Sequence, residues 1–264
     1  MTGYRLVAID LDGTLLNPEG QIPEYASKRI AELVEEGVTV VVNTGRMANT
    51  VFRCVSEIGA PVSFIAYNGA IVASNDSETY RFLTAESVRK IAAFCKRHGL
   101  YMQTYGQATI YALEQCRELE RDPDLKYSKF VKVDDFEHYK GLGTPKVLCV
   151  RFGDDIDAIS DEMSKEFPEL NIYKSTPECI EVTAKDVNKG RALEVFCEIM
   201  GIPREETVAI GDSKNDIPMV QWAGLGVAVN NADPMLKDCA DLVTDAGFTD
   251  GVMETLDHLF PPRA

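Results

Sequence analysis

No Cys-x-x-Cys pair occurs in these 264 residues, although seven cysteines are present, at positions 54, 95, 116, 149, 179, 197 and 239. The odd count and the lack of paired spacing exclude a zinc ribbon and a disulfide framework, and they imply a reducing compartment. Most of the seven are expected to be small buried hydrophobes. No apolar stretch approaches the length of a membrane span. No basic segment followed by a long apolar run opens the chain, because Asp10 interrupts it, so a cytoplasmic protein is expected. Tandem repeats and low-complexity segments are missing too. Bases are scarce, with 27 Lys and Arg against 42 Asp and Glu and a net charge of −15. Such a surface repels nucleic acid and anionic membranes, so neither is expected as a partner. It would also repel phosphorylated metabolites unless a metal or local bases offset it.

What is there is ordinary globular material, 45% hydrophobic and 26% charged. The length suffices for one large domain or for a domain carrying a sizeable insert. The most informative stretch is Leu6 to Leu15. Leu6-Val-Ala-Ile9 is a continuous apolar run, which suits a strand buried on both faces of a parallel sheet. It stops at Asp10 and Asp12, with Gly13-Thr14 beyond. Asp10 therefore falls at the carboxyl end of a strand, where open α/β sheets place their ligand crevice. Asp-x-Asp-Gly has three readings. The first is a plain turn. The second is a calcium loop, which needs a Glu at its twelfth position and meets Gln21 there instead. The third is a carboxylate pair that holds magnesium while one member attacks a phosphorus.

The rest of the chain bears on that choice. Pro23 to Glu36 reads as a helix closed by Gly37, and Val38 to Val42 as a second buried strand running into Asn43-Thr44-Gly45-Arg46. A helix over Ala48 to Ile58 and a strand over Val62 to Ala66 follow, the strand ending in Tyr67-Asn68-Gly69-Ala70. This alternation predicts a doubly wound parallel sheet, an α/β fold. Between about 84 and 184 the pattern changes to a helix over Thr84 to His98, a hairpin over 101–112, a strand from Lys146, a helix from Ile156, and a strand pair over 171–183. Residues 114–141 show no assignable period. An inserted α+β unit with helices on an antiparallel sheet is expected there. From Asn188 the parallel alternation resumes: a helix over Lys189 to Met200, a strand over Thr207 to Ile210, then Gly211-Asp212-Ser213-Lys214-Asn215-Asp216. Short strands and helices lead to a closing helix over Asp250 to Leu259.

Three strand ends thus carry Asp10 and Asp12, Thr44-Gly45, and Asp212 with Asn215 and Asp216. Four carboxylates gathered on one edge would raise one another's pKa unless a cation neutralised them. Magnesium takes such hard oxygen ligands and fills its other positions with water and phosphate. The plainer alternative is that Ser213 or Asp212 caps the next helix and that Asn215 and Asp216 are surface residues. Lys189, beside Asn188 and Gly190 at a helix start, is either solvated or placed where an anion would meet free backbone N–H groups.

Asp10-Leu-Asp-Gly-Thr14, Thr44, Lys189 and Gly211-Asp-x-x-Asn-Asp216 resemble, in order, the four motifs of the haloacid dehalogenase superfamily. Tyr67-Asn-Gly-Ala70, Val187-Asn-Lys-Gly190, Asn215-Asp-Ile-Pro-Met219 and Gly224 to Ala232 resemble its Cof-type sugar-phosphatase branch, which has a type 2B cap. The resemblance covers nearly the whole chain. It implies a Rossmann-like core over 1–83 and 185–264 and an inserted α+β cap over 84–184 that selects substrates and shields the site. It implies Asp10 as nucleophile and Asp12 as general acid and base, with Thr14 orienting Asp12. It implies Mg2+ held by the Asp10 side chain, the Asp12 carbonyl and Asp212. Leu11, Thr44, Gly45, Lys189 and Asn215 would hold the phosphoryl group, and Asp216 would orient Lys189 or a water. Arg46 either reaches substrate or pairs with a surface acid. Asn68 either lies near the crevice or only makes a turn. Tyr105, Tyr173, Lys174 and Glu178 are the substrate-contact candidates in the insert. The implied activity is hydrolysis of a small phosphorylated metabolite, such as a sugar phosphate, through an aspartyl-phosphate. A phosphomutase and a phosphoryl-accepting regulatory protein are the alternatives.

Overall fold

The computed structural model describes residues 3–74, 77–114, 120, 124–153 and 155–261. In chain order the strands are β1 (Leu6–Ile9), β2 (Thr39–Asn43), β3 (Ser63–Ala66), β4 (Ile71–Ala73), β5 (Glu78–Tyr80), β6 (Tyr101–Tyr105), β7 (Thr109–Ala112), β8 (Lys129–Lys132), β9 (Val147–Val150), β10 (Leu170–Thr176), β11 (Cys179–Ala184), β12 (Thr207–Gly211), β13 (Leu225–Ala228) and β14 (Leu242–Val243). The α-helices are α1 (Glu24–Glu35), α2 (Ala48–Ser56), α3 (Ala85–His98), α4 (Ile156–Glu166), α5 (Lys189–Met200), α6 (Ile217–Trp222), α7 (Pro234–Lys237) and α8 (Phe248–Leu259).

The chain divides into two compact units. One comprises Met1–Arg46, Val51–Thr79 and Asn188–Ala264, the other Met47–Thr50 and Tyr80–Val187. The first unit is built on one sheet in the order β14-β13-β12-β1-β2-β3-β4-β5. β1 pairs in parallel with β2 on one side and β12 on the other, Leu6 opposite Thr39 and Thr207. β3, β13 and β14 extend the parallel run. β4 turns back antiparallel on β3 and starts an edge that the apolar periodicity does not announce. Leu6 to Ile9 and Val208 to Ile210 are fully buried, which accounts for their unbroken apolar runs. Helix ends carry the chemistry that their sequence suggests. Asn188 accepts a hydrogen bond from the Arg191 N–H at the start of α5, and Ser213 forms a reciprocal capping box with Asp216.

The second unit has a sheet ordered β10-β11-β9-β6-β7-β8. Its pairs are antiparallel except β7 with β8, which are parallel, so the sheet is mixed rather than purely antiparallel. β8 lies in the stretch without periodicity; its Lys-Phe-Val-Lys sequence is short and edge-placed. Thr84 caps α3 by accepting from the Ser87 N–H. α3 and α4 contribute Val88, Ile91, Phe94, Ile156, Ile159 and Met163 to one core with Met102, Val147, Cys149, Ile180 and Val182 of the strands. Of the insert's substrate-contact candidates, Tyr105 is buried and its hydroxyl accepts from Gln103 Nε2 at 2.6 Å. Tyr173 donates to Glu181 at 2.8 Å, and Lys174 pairs with Asp157. Among the described cysteines only Cys95, Cys149 and Cys197 are buried, while Cys54, Cys179 and Cys239 are half-buried, so burial is less general than expected. Cys116 lies outside the described residues.

Candidate active site

The order β12-β1-β2-β3 sets four parallel strand ends side by side. The Asp10 N–H still donates to the Ile210 carbonyl at 2.9 Å, so the ladder delivers this residue to the rim. After it the chain makes a wide turn, with Leu15 N–H bonded to Asp10 O and Leu16 N–H to Leu11 O. Gly13 sits in that turn at φ 79°, and a Cβ there would be driven into the Asp212 carboxylate. Glycine thus serves both the left-handed backbone and the close approach of the loops after β1 and β12. Asn231 steadies the turn by donating to the Gly13 carbonyl at 2.8 Å.

Asp10, Asp212 and Asp216 offer carboxylate oxygens that all lie within 4.8 Å of one another. Lys189, 1% exposed, places its ammonium 2.5 Å from both Asp10 and Asp216. Asp216 also accepts from the Asp212 and Ser213 N–H groups at 3.0 and 2.9 Å, which locks the loop after β12. The Asp10 carboxyl is pushed well above its ordinary range, first by burial and then by the charge of Asp216, with Lys189 opposing. Burial and Asp216 likewise push Asp212 up to about 6. Lys189 is pushed upward: burial alone would lower it, and Asp10 and Asp216 more than offset that. One ammonium among three converging carboxylates leaves a negative surplus in a space of hard oxygen donors, and that donor set fits a magnesium ion.

Asp12 is placed differently. Its carboxylate is 53% exposed and is gripped by Arg46 through two hydrogen bonds, Nε at 2.7 Å and Nη2. Arg46 therefore pairs with an acid of the motif itself. Thr14 does not orient Asp12 here; its hydroxyl donates to Asp212 Oδ1 at 3.2 Å, because the residue sits on the side of the turn facing β12. Leu11 and Thr44 are buried, Gly45 is half-buried, and the Thr44 hydroxyl accepts from the Arg46 N–H at 3.3 Å. Asn215 is exposed and donates to Asn68 Oδ1 at 3.1 Å. Sequence reasoning passed over Asn43. Its amide, fully buried at the end of β2, donates to the Lys189 carbonyl at 3.0 Å and so ties the start of α5 to the sheet. An asparagine closing an apolar strand was the available signal.

Comparison with known proteins gives a family and relatives. The model of the haloacid dehalogenase-like hydrolases matches residues 7–256. The 5-amino-6-(5-phospho-D-ribitylamino)uracil phosphatase YcsE of Bacillus subtilis is 31% identical over 96% of this chain and 95% of its own. A phosphoglycolate phosphatase of Methanothermobacter thermautotrophicus is 30% identical over 96% and 97%. The crystal structure of a haloacid dehalogenase-like hydrolase from Bacteroides thetaiotaomicron superposes with a TM-score of 0.88, at 26% identity over 97% of this chain and all of that one.

Proposed function

This chain belongs to the haloacid dehalogenase-like hydrolase family and is a phosphoric monoester hydrolase, and from that premise we propose a magnesium-dependent enzyme that works through an aspartyl-phosphate on Asp10. The observation that carries the reading is the meeting of Asp10, Asp212 and Asp216 around the buried ammonium of Lys189. In the proposed reaction an Asp10 oxygen attacks phosphorus in line and the ester bond breaks on the far side. Asp12, released from Arg46 and having taken up a proton from solvent, gives that proton to the departing alkoxide. A water then attacks the phosphorus of the aspartyl-phosphate, Asp12 takes a proton from it, and inorganic phosphate and free Asp10 are restored. Leu11 and Gly45 amides, the Thr44 hydroxyl, Lys189 and Asn215 hold the phosphoryl oxygens throughout. Asp10, Asp212 and the Asp12 carbonyl would hold the magnesium. When bound, the ion supplies the positive charge that lets a carboxylate approach a phosphate dianion. Asp216 fixes Lys189 and the loop after β12, and such outer contacts tune a metal site.

The substrate is proposed to be a phosphorylated sugar or polyol. A relative 31% identical acts, by its name, on a phosphorylated ribityl compound, so that compound heads the trial panel. The insert over 84–184 is proposed to make the choice among substrates. The test is release of inorganic phosphate from a panel containing that compound, phosphoglycolate, hexose phosphates, flavin mononucleotide and pyridoxal phosphate, with magnesium and with a chelator. Asp10→Asn should stay folded and lose at least a thousandfold in turnover, on the order of what loss of an attacking group costs. Turnover like the wild type's in that variant would remove the nucleophile, and full activity in the chelator would remove the metal.

A further inference from the structure

Tyr67, Asn68 and Gly69 follow β3, and all three have positive φ, at 53°, 55° and 110°. Glycine and asparagine adopt this region with modest cost, whereas tyrosine rarely does. Backbone held this way persists only where its surroundings over-determine it. Here they do. The Tyr67 N–H donates to the Arg46 carbonyl at 3.0 Å and the Asn68 N–H to the Thr44 carbonyl at 2.9 Å. The Tyr67 side chain is fully buried, and Gly69 lies so close to Ala192 and the Asn188 carbonyl that a Cβ would collide with both. The loop is therefore wedged between the loop after β2 and the first turn of α5.

Asn68 itself is 6% exposed and reaches further. Its side-chain oxygen lies 3.1 Å from where a Cβ on Gly45 would stand, and the same oxygen accepts from Asn215 Nδ2 at 3.1 Å. β3 and β12 are three positions apart in the sheet, about 14 Å at ordinary strand spacing. Their loops nevertheless join through this one amide pair. Three of the four elements assigned to phosphoryl binding, Thr44-Gly45, the Lys189 turn and Asn215, touch the segment 67–69. An asparagine suits the position because it tolerates the left-handed backbone and presents a neutral acceptor, where an aspartate would add charge beside a phosphate.

We propose that Asn68 is a positioning residue, whose side-chain amide sets the Asn215 side chain beside Gly45 at the spacing a phosphoryl group requires. The proposal rests on the phosphoryl-binding reading of Asn215 and Gly45. The test is a double-mutant cycle of Asn68→Gly and Asn215→Ala in the full chain. It reads p-nitrophenyl phosphate hydrolysis, competitive inhibition by inorganic phosphate, and thermal melting. Glycine keeps the backbone and removes only the amide, so melting should move by no more than a few degrees. Asn68→Gly should weaken inhibition by inorganic phosphate about five- to tenfold, the worth of one hydrogen bond. In the Asn215→Ala background the same change should weaken it by less than about twofold, because a residue acting through another is not additive with it. Unchanged inhibition in Asn68→Gly, or effects that multiply in the double variant, would overturn the proposal. If Asn215→Ala alone leaves inhibition untouched, Asn215 leaves the phosphoryl set and the proposal falls with that premise.

Discussion

Asp10 and Asp12 are separated by one residue, yet the first is 3% exposed and shares Lys189 with Asp216, while the carboxylate of the second stands half in solvent on Arg46. The strand end explains the split. Asp10 still follows the β1 ladder, whereas Asp12 has left it at φ −81° and ψ 121°, just before the left-handed Gly13. Their types and spacing were legible in the chain; their opposite burial was not. Burial also fixes a pH dependence. Asp212 would lose its proton near the ordinary 3.8 when unfolded, and near about 6 when folded. Between those values the folded chain binds the extra proton. This carboxyl therefore favours the fold fully below the lower value and loses that contribution as pH rises through the upper one. In a chelator, unfolding free energy from urea titration should rise between about pH 7 and pH 5. Asp212→Asn should flatten that rise, and an equal slope in the variant would count against the charge cluster.

The helix starting at Lys189 was expected from its periodicity, with Gly190 read as part of an anion-accepting turn. The structure gives Gly190 a second reason. A Cβ there would collide with the backbone of Pro218, at the start of α6, so α5 and α6 meet backbone to backbone at this point. That contact holds Lys189 beside the loop carrying Asp216. Gly190→Ala should therefore cost roughly 2–3 kcal/mol through forced displacement of two packed helices. Gly201→Ala, at φ 63° with nothing within 4 Å, should cost only about 1 kcal/mol of backbone strain. Urea titration of both variants measures the difference, and activity should fall in the first alone. Strands with continuous apolar runs were visible in the same way. β4, β5 and β8 escaped because three- and four-residue strands near a sheet edge carry too few side chains to show a period.

In the molecule as a whole, the sheet brings residues about two hundred positions apart into one charged group, and a divalent ion held by that group would couple to folding. At a hundred times its dissociation constant a ligand adds about 2.7 kcal/mol to stability. Because the carboxylates must be ionised to bind, magnesium should raise the melting temperature more at about pH 8 than at about pH 5. Asp212→Asn should abolish the rise, and equal protection at both pH values would speak against this site. The residues alone determined the alternation of buried strands and helices, the acids at the strand ends and the helix start at Lys189, because these depend on local periodicity and on side-chain chemistry. Which strands lie together, which acid is sealed from water, and that Asn68 bridges to Asn215 were decided only by the tertiary structure. Neighbours so far apart in sequence are chosen by the joint burial of every apolar run at once, and no short segment contains that information.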